Sequence, residues 1–175
     1  LPGTTWSQFS GGGTSSLGVK TDGSLWVAGN NSYGQLGQNT QATHRSSPVQ
    51  IPGTWAKANY YKSTSFGIKT DGTLWAWGSN SRGVLGQNQA WSGINYASSP
   101  VQIPGTTWGD VQGNEYDGVT ARKTDGTLWT WGGSIGGMSG INVGATSYLS
   151  SPTQIPGTDW KSLSGGNYRY FAMRG

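Results

Sequence analysis

The sequence contains no cysteine, only one histidine and few charged residues. Charged residues make up 10% of its 175 residues, whereas an average domain has about 25%. Without cysteine the chain can form neither a disulfide framework nor a thiolate metal site, and one histidine cannot supply a histidine-rich site. We therefore expect no bound metal and no other cofactor. No run approaches the about 18 consecutive apolar residues of a membrane-spanning helix, so we expect no membrane insertion.

The charge balance is mildly basic. Lysine and arginine number 11 against 7 acidic residues, a net charge of +4. The basic residues are scattered and form no stripe of the kind that binds nucleic acid, so no nucleic-acid partner is expected. With so few acids, one histidine and no cysteine, the groups that usually carry catalysis are scarce, and we expect that the protein is not an enzyme.

Glycine and tryptophan are abundant instead. The chain has 31 glycines, 10 tryptophans and 8 tyrosines. Disordered chains are poor in aromatic residues, and a chain of this length can bury the core of one ordinary domain. The composition therefore predicts a folded, glycine-rich domain.

Three stretches of the chain repeat one another. The motif Lys-Thr-Asp-Gly-Ser/Thr-Leu-Trp lies at 20–26, 69–75 and 123–129. The motif Ser-Ser-Pro-Val/Thr-Gln-Ile-Pro-Gly lies at 46–53, 98–105 and 150–157. Equivalent positions are 49 to 54 residues apart. The repeat predicts a single domain, residues 1–175, whose units span approximately 4–53, 54–105, 106–157 and, for a partial fourth unit, 158–175.

Each unit is expected to consist of strands. Apolar residues alternate on both sides of Asp22-Gly23, and such a pair predicts a hairpin with a tight type I′ turn. A second pair of strands is predicted at Val49–Ile51 and from Trp55 onward, separated by Pro52-Gly53. No segment has the 3.6-residue periodicity of a helix. About four short antiparallel strands in about 50 residues is the size of one β-propeller blade, so the expected fold class is all-β.

Three motifs resemble the regulator of chromosome condensation repeats, in the variety found in bacterial and bacteriophage proteins. They are Lys-Thr-Asp-Gly-Thr-Leu-Trp-Ala-Trp-Gly at 69–78, Ser-Tyr-Gly-Gln-Leu-Gly at 32–37 and the Ser-Ser-Pro-Val-Gln-Ile-Pro-Gly run. The third unit departs from the pattern at 136–139. The resemblance implies a seven-bladed β-propeller. Because the chain starts inside one unit and stops before a hairpin, we expect the C-terminal portion of a longer propeller; the alternative is a ring assembled from two chains.

The tryptophans that recur at fixed repeat positions are expected to pack one blade on the next. Those positions are Trp6, Trp55, Trp108 and Trp160, and Trp26, Trp75 and Trp129. Trp77 and Trp131 share a position that Ala28 fills in the first unit, so their place in the core is less firmly indicated.

Two irregularities lie in the third unit. Arg122 either replaces the apolar Ile68 or is absorbed by a bulge, and a bulge is favoured because burying an unpaired guanidinium is costly. Glu115 and Asp117 could form a carboxylate pair for acid–base chemistry or Ca²⁺ binding. A solvated loop is the favoured interpretation of that pair.

Residues that the repeat does not explain are the candidates for binding. Insertions between repeats map to loops on one face, often the binding face, and here the variable segments are 38–45, 87–97 and 133–149. The candidate binding residues within them are Trp91, Ile94, Tyr96, Tyr148, His44 and Arg45. Exposed aromatic loops suit recognition of proteins or carbohydrates; the alternative is that the loops fold back on their own blades.

Fold alone does not give function, and three kinds of function stay open. The favoured one is a non-enzymatic binding or structural module of a virion, such as a phage tail or surface, or of an extracellular assembly. Its partners would be protein subunits, with a homo-oligomer as one form, or a surface glycan. The alternatives are a regulator of a small GTPase that acts as a nucleotide exchange factor, which the resemblance implies, and a glycan-binding propeller lectin. The expected location is the virion or the outside of the cell, and a cytoplasmic location stays open.

Overall fold

Antiparallel four-stranded sheets follow one another along the chain in the computed structural model. The structure describes residues 5–89, 95–114, 116–133, 139–141, 147–165 and 170–175. The first sheet contains β1 (Trp6–Gly12), β2 (Ser15–Lys20), β3 (Leu25–Gly29) and β4 (Arg45–Ile51). The second contains β5 (Trp55–Tyr61), β6 (Thr64–Lys69), β7 (Leu74–Ser79) and β8 (Tyr96–Ile103). The third contains β9 (Trp108–Gly113), β10 (Gly118–Lys123), β11 (Leu128–Gly133) and β12 (Tyr148–Ile155).

The last sheet has two strands, β13 (Trp160–Gly165) and β14 (Tyr170–Arg174). Within each sheet the strands pair in chain order. Among the described residues the only helix is a 3₁₀ turn at Ser81–Gly83. The prediction of an all-β fold built from four-stranded antiparallel blades is therefore confirmed, and a ring of seven blades stays a prediction.

The Asp-Gly hairpins form, but their turn differs from the predicted type. Gly23 has a φ of 80°, whereas Asp22 is not among the residues with positive φ. The amide of Gly23 donates to the Lys20 carbonyl, and that of Lys20 donates to the Ser24 carbonyl. A type I′ turn needs positive φ at both central residues, while a three-residue loop needs it only at the last. The prediction of type I′ was wrong because threonine, aspartate and glycine together form the loop.

The Pro-Gly segments do not join paired strands. β4 ends at Ile51 and β5 begins at Trp55, yet the two belong to different sheets. Pro52-Gly53 therefore links one blade to the next, with Gly53 at a φ of 117°. The two predicted strands on either side of Pro52-Gly53 are confirmed, but they do not pair with each other, since β4 pairs only with β3.

The core lies between neighbouring blades. One cluster joins blades one and two through Leu17, Val19 and Trp55, and a second joins blades two and three through Phe66 and Trp108. Trp55 packs so closely on the second strand of its own blade that a Cβ on Gly67 would lie 2.4 Å from its ring. This proximity explains the glycine at that position. Strands β1, β5, β9 and β13 come nearest to one another and form the inner side of the arc.

Trp77 and Trp131 are among the most deeply buried side chains. Both are at most 1% exposed. The indole N–H of Trp77 donates to the Gln35 carbonyl at 2.9 Å, and that of Trp131 donates to the Val84 carbonyl at 2.8 Å. In each case the acceptor belongs to the preceding blade. These two residues thus bind neighbouring blades together and are core members like Trp55 and Trp108.

Arg122 occupies the place of an apolar residue. It pairs with Leu128 as Ile68 pairs with Leu74, and the additional residue of the third unit lies in the β9–β10 turn. The pairing of β9 with β10 does shift register between Arg122 and Lys123, but the same shift occurs between the first two strands of the other blades. The favoured bulge that would absorb Arg122 was therefore wrong. Partial exposure makes the position tolerable, although Arg122 Nε is buried without a hydrogen-bond partner.

Candidate functional site

Antiparallel strands place the connections of every blade on two opposite faces. One face carries the Asp-Gly hairpins and the Pro-Gly links, and is called the hairpin face below. The other carries the β1–β2, β5–β6 and β9–β10 turns and the long connections after β3, β7 and β11; it is called the loop face. The candidate binding residues that the structure describes, His44, Arg45, Tyr96 and Tyr148, belong to the loop face.

The hairpin face is nearly identical in the three full blades. In each blade a carboxylate oxygen of the turn aspartate accepts hydrogen bonds from the backbone amide and the hydroxyl of the serine or threonine two residues later. The same hydroxyl accepts a hydrogen bond from the indole N–H of the tryptophan two residues after it. Chiefly the hydroxyl bond, and then the amide bond, lower the pKa of each aspartate. These groups are Asp22, Ser24 and Trp26; Asp71, Thr73 and Trp75; and Asp125, Thr127 and Trp129. The turn explains them fully.

Two of the variable loops dock on the following blade. The amide of Asn39 donates to the Ser98 carbonyl at 2.8 Å, and the amide of Asn88 donates to the Ser150 carbonyl at 2.7 Å. Both asparagines have φ close to 55°. The loops also bind their own blades, because Gln38 Nε2 donates to the Gln50 carbonyl at 3.1 Å and Gln87 Nε2 donates to the Gln102 carbonyl at 2.8 Å. Through the asparagine amides, both loops also bind the Ser-Ser-Pro strand of the following blade.

His44 and Arg45 lie where the first loop enters β4. His44 is exposed, and its Nδ1 accepts a hydrogen bond of 2.9 Å from the amide of Asn31. Arg45 is half-buried, pairs with Gly29, and holds its Nε buried without a hydrogen-bond partner. His44 thus has a local structural role, while the adjoining loop residues 40–43 stay largely exposed.

Tyr148 is the most exposed aromatic candidate residue that the structure describes, and it lies at the start of β12. Its side chain is 52% exposed, and the Arg82 guanidinium of the preceding blade lies 5.7 Å from its ring centroid. Tyr96 occupies the equivalent place in β8 and is half-buried. Trp91 and Ile94 lie outside the described residues. An exposed tyrosine backed by an arginine is suited to contact with a partner.

A polar cleft lies between the blades, and the sequence did not indicate it. Its volume is about 510 Å³, and its lining includes Tyr33 from blade one, Lys62, Ser63 and Ser81 from blade two, and Asp117 from blade three. Lys62 Nζ lies 3.1 and 3.2 Å from the two Asp117 carboxylate oxygens, and the Ser81 hydroxyl donates to one of them at 3.1 Å.

Asp117 is therefore not part of a solvated loop. Its side chain is 7% exposed and ion-paired across the blade boundary, so that prediction was wrong for this residue; Glu115 lies outside the described residues. Lys62 and Asp117 both sit at turn positions with φ close to 57°. Their charges meet because the β5–β6 and β9–β10 turns lie side by side. The sequence does not indicate this contact, since the two residues are 55 positions apart.

The described part of the chain offers little for metal chemistry. It contains no group of three histidine, cysteine, aspartate or glutamate side chains close enough to hold a metal ion. Nor does any of its helices have the length and apolar character needed to cross a membrane. The loop face can bind through aromatic rings, amides and hydroxyls.

Family models match more than half of the chain. A model described as the regulator of chromosome condensation (RCC1) repeat matches residues 22–58 and 71–112, and a second model of the same description matches residues 6–35. No curated protein matches the chain. The matched residues include the first two Asp-Gly hairpins with their tryptophans.

Solved structures share the fold over almost the whole chain. Human WBSCR16 superposes with a TM-score of 0.79 at 22% identity over 97% of this chain and 44% of its own. Yeast RCC1 (Prp20), in a structure with Kap60, gives a TM-score of 0.81 at 19% identity over 99% of this chain and 43% of its own. A second structure, of Prp20p from Saccharomyces cerevisiae, is described together with its binding properties to Gsp1p and histones. It gives a TM-score of 0.75 at 16% identity over 89% of this chain and 40% of its own. The chain thus spans less than half the length of these proteins.

Proposed function

Because the chain belongs to the regulator of chromosome condensation repeat family, we propose that it is a non-enzymatic binding module that recruits a protein partner through its loop face. One structural relative, yeast Prp20, is associated with protein partners in two structures: one is described as bound to Kap60, and the other is described with binding properties to Gsp1p and histones. A propeller that presents protein-binding loops agrees with both descriptions.

The observation that carries the proposal is the contrast between the two faces. The hairpin face repeats the same hydrogen bonds in three blades, so folding accounts for its residues. The connections of the loop face differ in length and sequence from blade to blade, although two of them dock alike through Asn39 and Asn88. This face presents Tyr148 with the Arg82 guanidinium 5.7 Å from its ring centroid. Exposed aromatic and arginine side chains are the types that dominate the energy of protein interfaces.

Reconstitution with purified partners tests the proposal. The full chain is used to capture partner proteins, and each partner is then expressed and purified by itself. Each purified partner is titrated against the wild-type chain and against an Arg82→Ala/Tyr148→Ala variant. We expect the variant to bind at least about tenfold more weakly, the usual scale for losing an interface hot spot. Thr70→Ala, on the exposed hairpin face, is the control and should bind like the wild type. Equal losses in both variants, or none in either, would contradict the loop-face assignment.

Nucleotide exchange on a small GTPase is the second candidate function. Prp20p is described with binding to Gsp1p, and that description favours the test. Release of fluorescent GDP from a panel of small GTPases is measured with and without the chain. Under the binding-module proposal the release rate is unchanged, whereas a catalytic increase would establish exchange activity instead. Residence in a virion or an extracellular assembly, as a subunit or a homo-oligomer, stays a prediction.

A further inference from the structure

We propose that the cleft formed by Tyr33, Lys62, Ser63, Ser81, Asn95 and Asp117 is a binding site for a neutral saccharide. The inference goes beyond recruitment of a protein partner, because it concerns a small-ligand site with lining residues other than Arg82 and Tyr148.

The size and form of the cleft fit a small ligand. Its volume of about 510 Å³ lies within the range of about 300–1,000 Å³ of typical ligand pockets. It is built from three blades, so its walls are held by the propeller framework and not by one loop. The Lys62–Asp117 ion pair and the Ser81–Asp117 hydrogen bond join blades two and three along one wall of the cleft.

The charges of the cleft cancel. Asp117 faces Lys62 at 3.1 Å and also accepts from Ser81. The nearby Arg82 donates to the Tyr116 carbonyl at 3.1 Å and stacks on Tyr148. An anionic ligand would have to compete with a paired carboxylate, and a cationic ligand with a paired ammonium group. A ligand without net charge avoids both costs.

The other lining groups match a sugar. The Tyr33 side chain is 48% exposed and offers a flat apolar surface to the C–H face of a pyranose ring. Ser63 and Asn95 line the same cleft, and their side chains carry hydrogen-bond donor and acceptor atoms. One aromatic ring with several hydroxyls and amides around it is complementary to a polyhydroxylated molecule.

A peptide fits less well than a sugar. Extended peptides bind by adding a strand to free backbone groups, but two backbone amides of the lining are already used. The amide of Ser79 donates to the Ser63 carbonyl, and the amide of Asn80 donates to the Asn95 carbonyl. Recognition in this cleft therefore relies on side chains, as recognition of a sugar does.

Calorimetric titration of the full chain tests the site. The probes are neutral hexoses, N-acetylhexosamines and their disaccharides, with glucuronic acid and glucose 6-phosphate as charged counterparts. We expect saturable binding of at least one neutral sugar and weaker binding of its charged counterpart. No saturable binding across the neutral panel, or tighter binding of a charged counterpart, would overturn the proposal.

Variants locate the site. Tyr33→Ala should weaken sugar binding about tenfold at an unchanged melting temperature, and Tyr33→Phe, which keeps the ring, should retain most of the affinity. Phe9→Ala is the matched control, because Phe9 is 54% exposed but lies on β1 and lines no part of the cleft. Equal affinity of Tyr33→Ala and the wild type would overturn the proposal. Since Arg82 and Tyr148 are intact in all three variants, failure here leaves the test of protein recruitment unaffected.

Discussion

The ammonium group of Lys69 lies 4.0 Å from the centroid of the Trp75 ring and 5.3 Å from that of Trp55. Lys20 and Lys123 lie between the corresponding tryptophans of their own blades, and Arg174 lies 4.5 Å from Trp160. A cation over an aromatic face is attracted by the ring quadrupole. In each of the four sheets a lysine or arginine at the end of the second strand thus lies against tryptophan.

Removing this cation should destabilise the blade. Lys69→Ala loses both ring contacts, and we expect the free energy of unfolding to fall by about 1 kcal/mol in urea titrations. Lys69→Arg should retain most of the stability, because arginine fills the equivalent place in the last blade. Lys161→Ala, at an exposed lysine, is the control. A loss in the control as large as in Lys69→Ala would mean that net charge, and not the ring contact, is responsible.

The hairpin glycines should resist substitution. Gly72 has a φ of 80°, and a Cβ there would lie 3.2 Å from the Thr107 amide nitrogen. We expect Gly72→Val to lower the free energy of unfolding by at least about 1 kcal/mol, measured by chemical denaturation. Gly12→Val is the matched control, since nothing lies within 4 Å of its Cβ position. Equal midpoints for the two variants would contradict the turn assignment.

The depressed pKa of the hairpin aspartates should depend on the neighbouring hydroxyl. The Thr73 hydroxyl bond is the largest cause that lowers the pKa of Asp71, so Thr73→Val should raise it. Because the folded pKa lies below the unfolded one, the stabilising contribution is complete above the unfolded pKa and is lost as pH falls through the folded pKa. NMR titration of the Asp71 carboxyl carbon checks this, with Thr70→Val as control; an unchanged Asp71 pKa would remove the hydroxyl as the cause.

Arg122 should be replaceable by an apolar residue. Its Nε is buried without a partner, and its strand position corresponds to Ile68. Arg122→Ile should therefore raise the free energy of unfolding by about 1 kcal/mol, whereas Arg122→Ala should gain less because it leaves a gap. Thermal and urea unfolding give both values. A lower free energy of unfolding in Arg122→Ile would contradict this expectation. It would show that the guanidinium stabilises the blade boundary by more than its unpaired Nε costs.

Chelators and reductants should leave the protein unchanged. The sequence has no cysteine, and the described residues hold no suitable cluster of metal ligands. We expect the same melting temperature with and without EDTA or dithiothreitol, by differential scanning calorimetry. A marked fall in EDTA would point to a carboxylate-bound cation, and loss of the effect in an Asp117→Asn variant would place it in the β9–β10 turn.

Local features of the blades could be predicted from the sequence. Asp-Gly pairs, alternating apolar residues and a repeat of about 50 residues determine hairpins, strands and blades, because these depend on residues close together in the chain. The burial of Trp55 and Trp108 also follows from their recurrence. The turn type was missed, since it depends on the φ of a single aspartate.

Apart from the packing of the recurring tryptophans, the contacts between blades were decided only by the tertiary structure. Trp77 and Trp131 can be buried because loops of the preceding blade supply carbonyl acceptors for their indole N–H groups. The sequence did not indicate this role, since Ala28 fills the equivalent position in blade one. Lys62 and Asp117 carry no mark of pairing in the sequence. They meet because successive blades bring two turns, 55 residues apart in the sequence, side by side. The spacing between those turns is set by how the twisted sheets stack, and no local sequence pattern encodes it.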